Sequence, residues 1–320
     1  MNIKFLLPKA RGFVLGGRQP KRASQRFRGL VPLKHMTEAD GFIDSVKEST
    51  TDDLVIVAKA ASPEDILYLK DKGIKFVFDI CDNKWRVGKD HKRNTEIMNT
   101  GCKYANLITT TCGELQQKIY EESGKKAHII DDPYERDIEE PKFNPGDHLN
   151  ICYFGGRKSF SLVDWEEAIA VLNHLKINYT LHCITQKHEM ASKRLTHHYY
   201  PKGRLKMYEW NYDLQAKLVR ESDFVLMPVP SNNFVVKHKS PNRVLDSIAQ
   251  GRYIITTSGV NSYHNYTDYI GIGSLKENIK WALDNPKSVI SKIEKGQDYI
   301  KKHHSPQVIA KAWMSLRKQV

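Results

Sequence analysis

The segment at residues 240–257, SPNRVLDSIAQGRYIITT, constrains the fold of this chain more than any other. Residues 242–250 have the apolar spacing of a helix, and Gly251 follows at the position where glycine commonly ends one. Residues 253–257 are aromatic and β-branched, which is typical of a buried strand. A helix that ends at glycine and leads directly into a buried strand is the repeating step of a parallel sheet covered by helices. The segment therefore predicts an α/β fold.

Strand-like and helix-like segments alternate along the rest of the chain, which predicts a doubly wound sheet in each half. We expect strands at residues 3–7, 54–59, 75–80, 106–110, 127–130, 150–154, 179–184 and 224–228. We expect helices at residues 62–72, 112–123 and 161–175, and from residue 278 onward.

A polar segment at residues 131–148 contains three prolines and lacks apolar periodicity, which predicts a break between two domains. The 320 residues are enough for two domains of ordinary size. The expected organisation is a first domain at residues 1–135, a linker at 136–148, a second domain at 149–300 and a basic helix at 301–320.

The composition argues against several classes of protein. No run of about 18 apolar residues is present, so the sequence predicts no membrane-spanning helix. The first seven residues read as a strand and not as a signal peptide. Five cysteines without a C-x-x-C pair argue against a disulfide framework and a zinc site. These features predict a cytoplasmic protein, in the host cytoplasm if the source is viral.

The formal net charge of +13 is unevenly distributed. Residues 1–35 contain nine lysines and arginines and no acidic residue. Residues 36–150 contain 16 against 23 acidic residues, whereas residues 151–320 contain 25 against 14. Clustered positive charge of this kind indicates a polyanionic partner, although a solvated basic face is the simpler alternative.

Glycines followed by basic residues come after the first predicted strand of each domain, at residues 16–18 and 155–158. Glycine lets the backbone approach a phosphate, and neighbouring cations neutralise it. The predicted helix after Ser240 offers free N–H groups to an anion, and Arg243 adds a fork of donors. Tight structural turns are the alternative for the glycine pairs.

Five segments together resemble the nucleotide-sugar glycosyltransferases with the GT-B fold, of glycosyltransferase group 1 or family 4. They are the loop after the first strand with glycines at 16 and 17, the segment DICD at 79–82, HIIDDPYE at 128–135, YFGGR at 153–157 and SPNRVLDSIAQGR at 240–252. The resemblance implies two facing Rossmann-like domains and a nucleotide-diphosphate sugar donor, with a UDP-sugar as the first choice. It also implies retention of the anomeric configuration and catalysis without a bound metal, in which helix dipoles and cations act on the diphosphate.

The resemblance and the motifs together imply a set of donor-binding residues. Asp246 is expected to accept hydrogen bonds from the ribose hydroxyls, and Trp210 is expected near the base; a surface carboxylate and a core tryptophan are the alternatives. Many such enzymes carry two glutamates eight positions apart, and the second falls at Asp246 in this chain. The first falls at His238, which is not acidic, so the resemblance does not imply which sugar is transferred. The expected donor-binding residues are Gly16, Gly17, Gly155, Arg157, Lys158, Trp210, Lys239, Ser240, Asn242, Arg243 and Asp246.

Asp79 lies near the carboxyl end of the strand predicted at residues 75–80, and Asp82 follows that strand. Ligands bind at the carboxyl ends of strands in such folds. Either carboxylate is a candidate to orient or deprotonate an acceptor hydroxyl, and helix capping is the alternative for each.

The excess of basic residues leaves the acceptor open between two classes. One is DNA with hydroxymethylated pyrimidine bases, as in phage enzymes that modify DNA, with the target base flipped from the stack. The other is a glycan or lipid of the cell envelope at an anionic membrane surface. A third interpretation is a basic binding module that has lost catalysis. The residues expected to contact a polyanion are Arg18, Lys21, Arg22, Arg26, Arg28, Lys193 and Arg194.

Overall fold

The computed structural model describes residues 1–8, 20, 23–58, 61–85, 90–155, 162–185, 203–229 and 237–320. The chain forms two compact units. Unit 1 comprises Met1–Glu135, His238–Ser240 and His303–Val320, and unit 2 comprises Arg136–Lys237 and Pro241–Lys302. The prediction of a separate basic helix at residues 301–320 is therefore wrong, because the C-terminal residues are part of unit 1.

The strands, numbered in chain order, are β1 Asn2–Leu6, β2 Gly41–Ile43, β3 Asp53–Ala58, β4 Lys75–Ile80, β5 Leu107–Thr110, β6 His128–Ile129, β7 His148–Phe154, β8 Asn178–Thr185, β9 Gly203–Glu209, β10 Phe224–Met227, β11 Tyr253–Thr256 and β12 Gly271–Ile272. The helices are α1 at residues 23–33, in which Arg26–Leu30 forms a π-helical turn between the α-helical pieces Ala23–Gln25 and Val31–Leu33, α2 Pro63–Asp71, α3 His91–Tyr104, α4 Gly113–Ser123, α5 Leu162–His174, α6 Tyr212–Glu221, α7 Asn242–Ala249, α8 Leu275–Asp284, α9 Pro286–His304 and α10 Pro306–Ser315. Short 3₁₀ helices lie at Val46–Glu48, Asn261–Tyr266 and Leu316–Lys318.

Unit 1 contains a six-stranded sheet in the order β2-β1-β3-β4-β5-β6, and every described strand pair in it is parallel. The central strand β3 has the sequence DLVIVA and is buried at every residue, as expected for a strand covered on both faces. Helix α2 begins with a capping box, in which Ser62 Oγ accepts from Asp65 N at 3.2 Å. The strand and helix predictions for this half are confirmed, whereas β2 and α3 are elements that the sequence pattern does not predict.

The C-terminal helix α10 covers one face of the unit 1 sheet. Trp313 is fully buried and meets Phe5 of β1 edge-on, with ring centroids 5.5 Å apart. Ile309 and Leu316 belong to the same buried cluster. The segment that the sequence predicts as a basic surface helix thus contributes large apolar side chains to the core of unit 1.

Unit 2 contains a second six-stranded sheet in the order β12-β11-β10-β7-β8-β9, again with parallel pairing throughout its described strands. A core cluster of unit 2 includes Trp165 of α5 packed edge-on against Tyr153 of β7, with centroids 5.1 Å apart. Each fully buried Leu or Ile side chain of such a cluster contributes roughly 1.5–3 kcal/mol. The strands predicted here are confirmed, and β9 and β12 are additional to the prediction.

The helix-to-strand step from α7 to β11 forms as predicted. Gly251 has φ +67°, and a Cβ there would collide with the carbonyl group of Glu140, so glycine is required for two reasons. Gln297 of α9 donates from Nε2 to the carbonyl oxygens of Ile248 and Ala249 in the last turn of the helix, where carbonyl groups lack partners within the helix itself.

The predicted linker at residues 136–148 differs from the expectation, because most of it is built into unit 2. Glu139 N donates to Ala249 O at 2.8 Å, Lys142 N donates to Gly251 O at 3.0 Å, and Phe143 is buried in the unit 2 core. The helical region predicted after residue 278 is also divided, because new helices begin at Pro286 and Pro306. Proline fits the first turn of a helix and does not continue one.

Candidate functional site

The order of the strands locates the positions where a ligand can bind in unit 2. Strands β7 and β10 are neighbours in the middle of this sheet. The strand that follows β7 in the chain, β8, lies on one side of the pair, and the strand that follows β10, β11, lies on the other side. Ligands of doubly wound sheets bind outside the carboxyl ends of the strands at this point. The carboxyl end of β7 leads into Gly155, and the connection after β10 leads into α7.

Helix α7 begins at this edge with Pro241 as its N-cap, and no side chain of the described residues caps it. The N–H groups of Val244 and Leu245 donate to Pro241 O at 2.8 and 3.0 Å, so the first turn is tight. Asn242 Oδ1 is buried and has no hydrogen-bond partner in the described part of the chain. An uncapped helix start with a positive dipole end favours an anionic ligand.

Arg243, the second residue of α7, lies beside two buried tyrosines. Its Nη1 atom is buried and makes no hydrogen bond with the described residues. Burial alone would lower the pKa of Arg243, but the hydroxyl groups of Tyr263 and Tyr153 raise it above the ordinary value. A buried guanidinium with an unused N–H donor is costly unless an anion satisfies it.

Gly155 makes room for this group of side chains. A Cβ built on Gly155 would lie 2.9 Å from the hydroxyl oxygen of Tyr153 and 3.0 Å from Nη1 of Arg243. Gly155 N donates to Ile184 O at 3.1 Å, which fixes the turn at the end of β7. The glycine therefore serves the close approach of Arg243 to the end of the strand.

Asp246 lies one turn after Arg243 in α7, and only 3% of its surface is exposed. At the next position of the helix, Ser247 Oγ donates to the backbone oxygen of Arg243, four residues earlier, at 2.7 Å. The side chain of Asp246 is therefore not a surface carboxylate, which was the alternative interpretation.

Trp210 follows β9 at the carboxyl edge of the same sheet. Its backbone N–H donates to Thr185 O at 2.7 Å, and its indole Nε1–H donates to Gln215 Oε1 at 2.6 Å. The side chain is half-buried, so the ring is held in one orientation with part of its surface open. Lys239 and Ser240 precede α7 in the sequence and are half-buried, and they belong to unit 1.

The candidate catalytic residue Asp79 is a structural residue of unit 1. Arg28 donates to both of its carboxylate oxygens, from Nε at 3.0 Å and from Nη2 at 2.7 Å, and Thr109 Oγ1 donates at 2.8 Å. Only 1% of Asp79 is exposed. The prediction that Asp79 acts on an acceptor is corrected, because its oxygens are occupied and closed to solvent. Asp82, the other candidate, is half-buried in the turn after β4.

Arg28 and Arg26 were expected to contact a polyanion, and both are buried instead. Arg28 also donates from Nη1 to Asp132 Oδ1 at 3.0 Å, and its guanidinium lies 4.9 Å from the centre of the Trp313 ring. Burial opposes its charge, but Asp79 and Asp132 raise the pKa of Arg28 above the ordinary value. Arg26 Nε donates to Glu135 Oε1 at 2.6 Å. These two predictions are corrected, because neither arginine is available at the surface.

Several predicted residues lie outside the described part of the chain. They are the donor-site residues Gly16, Gly17, Arg157 and Lys158 and the polyanion-contact residues Arg18, Lys21, Arg22, Lys193 and Arg194.

Sequence reasoning missed Tyr153 and Tyr263 as parts of the site. Tyr153 stands in the YFGGR motif, so its neighbourhood is marked, but an aromatic residue in a strand reads as core. Tyr263 lies in the 3₁₀ helix after β11, distant from Arg243 in the sequence, and no spacing rule connects the two.

The two parallel sheets with helices on both faces are those of the GT-B fold of nucleotide-sugar glycosyltransferases. No family model matches the chain, and no curated protein matches it. Among solved structures it is similar to HepE of Anabaena in complex with UDP, with a TM-score of 0.67 at 10% identity over 100% of both chains.

Two further solved structures share the fold. A UDP-forming α,α-trehalose-phosphate synthase from Burkholderia xenovorans matches with a TM-score of 0.60 at 10% identity, over 93% of this chain and 79% of that one. TarM matches with a TM-score of 0.62 at 12% identity, over 83% of this chain and 55% of TarM. The chain thus spans about half the length of TarM. At these identities the similarity shows the fold.

The described residues offer neither a membrane-crossing helix nor a metal centre. None of their helices is long and apolar enough to cross a membrane. No cluster of three or more histidine, cysteine, aspartate or glutamate side chains suited to a metal ion occurs among them. The prediction of catalysis without a metal stays a prediction.

Proposed function

We propose that this protein is a glycosyltransferase that moves a sugar from a UDP-sugar donor to a hydroxyl acceptor. The observation that carries the proposal is the Nη1 atom of Arg243, which is buried and makes no hydrogen bond with the described residues. It lies at the start of α7, beside the carboxyl end of β7. A cation of this kind, at the strand edge where such sheets bind ligands, suits the diphosphate of a nucleotide sugar.

The remaining residues of unit 2 support a placement of the donor around that cation. We propose that the diphosphate contacts Arg243 and the first N–H groups of α7, where the developing charge of the leaving group is stabilised without a metal. The buried carboxylate of Asp246 lies one turn further along and suits the two vicinal ribose hydroxyls. The half-buried ring of Trp210 suits the base.

The solved structures that share the fold support UDP as the nucleotide. HepE was crystallised with UDP, and also with UDP and glucose. A mutant of TarM was crystallised with Fondaparinux, alpha-GlcNAc-glycerol and UDP. The sugar is left open by His238, which replaces the glutamate that many such enzymes carry.

Two acceptor classes are proposed from the charge. A polyanion with a free hydroxyl, specifically DNA with hydroxymethylated bases, is favoured by the 25 lysines and arginines against 14 acidic residues at 151–320. Arg204 and Lys206 on β9 are exposed and belong to this excess. A glycan or lipid of the cell envelope is the second class. The burial of Arg26 and Arg28 favours this class, because neither arginine can then contribute to a DNA-binding surface.

Asp82 is the remaining candidate to orient or deprotonate the acceptor hydroxyl, now that Asp79 is committed to Arg28. The five cysteines are all free, which supports a reducing compartment, and we propose the cytoplasm.

The test is transfer of radiolabelled sugar from a panel of UDP-sugars to three acceptors, namely DNA containing 5-hydroxymethylcytosine, unmodified DNA and a lipid extract. Label only in the hydroxymethylated DNA assigns a base-modifying enzyme. Label only in the lipid fraction assigns envelope synthesis. UDP binding without transfer or donor hydrolysis assigns a binding module, and absence of any UDP binding overturns the proposal.

A further inference from the structure

We infer that Tyr153 and Tyr263 are positioning residues that hold the guanidinium of Arg243 toward the terminal phosphate of a nucleoside diphosphate. The inference rests on the proposed function and extends it. The site distinguishes a nucleoside diphosphate from a nucleoside or its monophosphate, because it recognises the second phosphate of the leaving nucleotide. Neither tyrosine is expected to touch the donor, because each acts through Arg243.

The two tyrosines reach Arg243 from different elements. Tyr153 is the penultimate residue of β7, is fully buried and is held edge-on by Trp165 at 5.1 Å. Tyr263 lies in the 3₁₀ helix Asn261–Tyr266 after β11 and is 1% exposed. Packing therefore fixes both rings, so their hydroxyl groups define where the guanidinium lies.

The contact at Gly155 shows how closely the cation and the strand end approach. The Tyr153 hydroxyl oxygen and Arg243 Nη1 lie 2.9 and 3.0 Å from the point where a Cβ of Gly155 would stand. Because this position is a glycine, the space beside Nη1 is not filled by a side chain at this residue.

The surroundings of Arg243 distinguish it from a structural arginine. Phenolic hydroxyls are neutral, so they orient a guanidinium and accept from it without cancelling its charge. No carboxylate of the described residues forms an ion pair with Arg243, and Nη1 has no acceptor among them. The pKa of Arg243 is raised by these hydroxyls although burial opposes the charge, so the group remains a cation. Among the described residues, the positive charge is thus oriented by the two tyrosines and has no counterion.

A second phosphate is the group that such a cation would recognise. An oriented guanidinium forms paired, charge-assisted hydrogen bonds with phosphate oxygens, and these are stronger than neutral hydrogen bonds. Uridine lacks this group, and UMP carries only the first phosphate. The inference therefore predicts that the affinity ratio between UDP and uridine depends on both tyrosines.

The experiment measures dissociation constants of UDP, UMP, uridine and inorganic pyrophosphate by calorimetry for the wild type, Tyr153→Phe, Tyr263→Phe and the double variant. Phenylalanine keeps the ring packing and removes only the hydroxyl group. Tyr179→Phe is the matched control, because Tyr179 is fully buried in the same unit and its hydroxyl has no hydrogen-bond partner among the described residues. Thermal unfolding of each variant reports whether it is folded.

Each positioning variant is expected to weaken UDP and pyrophosphate binding about tenfold while uridine affinity stays within about twofold, and the control is expected to match the wild type. Equal loss for all four ligands, or an unchanged ratio of UDP to uridine in both single variants, overturns the inference and leaves the proposed function standing. A wild type that binds neither UDP nor pyrophosphate overturns both. A wild type that binds pyrophosphate but not uridine would mean that the nucleotide carries a base other than uracil. The inference would then be tested by the loss of pyrophosphate affinity in the two single variants.

Discussion

Arg28 is a buried arginine of unit 1, whereas Arg243 is a half-buried arginine of unit 2 whose Nη1 atom is buried, and their surroundings are opposite. Arg28 donates to both carboxylate oxygens of Asp79 and to Asp132, so its charge is cancelled within the fold. Arg243 faces the neutral hydroxyl groups of Tyr153 and Tyr263, and its Nη1 has no partner among the described residues.

The difference shows how to separate a structural arginine from a ligand-binding one. A buried charge that has found its counterions stabilises a particular arrangement of the chain, and removing one partner leaves the others uncompensated. A buried charge without a counterion lowers stability unless a ligand supplies the anion. The sequence motifs mark both arginines alike, and only their partners distinguish them.

The largest expected effect is the loss of stability in Arg28→Met. This change leaves Asp79 and Asp132 buried without their cation, and we expect it to lower the free energy of unfolding by about 3–5 kcal/mol. Urea unfolding followed by tryptophan fluorescence measures it. The control is Lys70→Met, which removes an exposed pair with Asp71 and is expected to leave the unfolding midpoint almost unchanged. An Arg28 variant as stable as this control would contradict the structural role.

The next effect is on ligand affinity, in Gly155→Ala. The added Cβ would crowd Tyr153 and Nη1 of Arg243, and we expect UDP affinity to fall about tenfold as the guanidinium is displaced. Calorimetric titration measures it. Gly146→Ala is the matched control in the same unit, because a Cβ there meets no atom within 4 Å. Equal UDP affinity in the two variants would remove Gly155 from the site.

A smaller effect is expected at Asp40, a partly exposed counterpart of Asp79 in unit 1. Burial opposes its charge, but hydrogen bonds from Ile3 N–H, Thr37 and Arg317 outweigh burial and lower the pKa of Asp40. The folded state therefore favours the carboxylate, so this contribution is present above the ordinary pKa of about 3.9 and is lost as the pH falls through the lowered value.

Asp40→Asn should therefore cost about 1 kcal/mol at pH 7, after allowing for solvent screening, and nothing once the wild-type carboxyl group is protonated. Unfolding free energies of both proteins across acidic pH measure the gap. A gap that does not close with falling pH would show that the hydrogen bonds at Asp40 do not depend on its charge.

The smallest effect on stability is expected for Arg243→Met. Arg243 is half-buried and has no ion pair with the described residues, so an apolar side chain there removes the cost of keeping a charge away from water. The free energy of unfolding should therefore stay within about 1 kcal/mol of the wild type or rise. The same urea experiment measures it beside Arg28→Met. A loss as large as that of Arg28→Met would mean that Arg243 is also structural.

The sequence predicts the parts of this molecule that depend on local pattern. The α7–Gly251–β11 step follows from helix spacing, a glycine with positive φ and a β-branched run, all within residues 240–257. The buried strands β3 and β4 follow from continuous apolar runs. Arg243 and Asp246 can be recognised because a helix start and its first turns are local features.

Features that depend on distant partners could not be predicted. Asp79 and Arg28 are 51 residues apart, and nothing in either segment shows that they pair. Helix α3 buries only Met98, Gly101 and Cys102, so its apolar stripe is too narrow to recognise. Strand β9 escapes prediction because its basic residues Arg204 and Lys206 read as a charged loop.

Arg243 has no counterion among the described residues, and we propose that the diphosphate of the donor takes that place. The most direct measurement is a calorimetric titration of UDP into the wild type and into folded Arg243→Met. We expect the wild type to bind UDP and the variant to bind it with an affinity at least about a hundredfold lower, because a charge-assisted phosphate contact is lost. Equal UDP affinity in the two proteins would contradict this proposal.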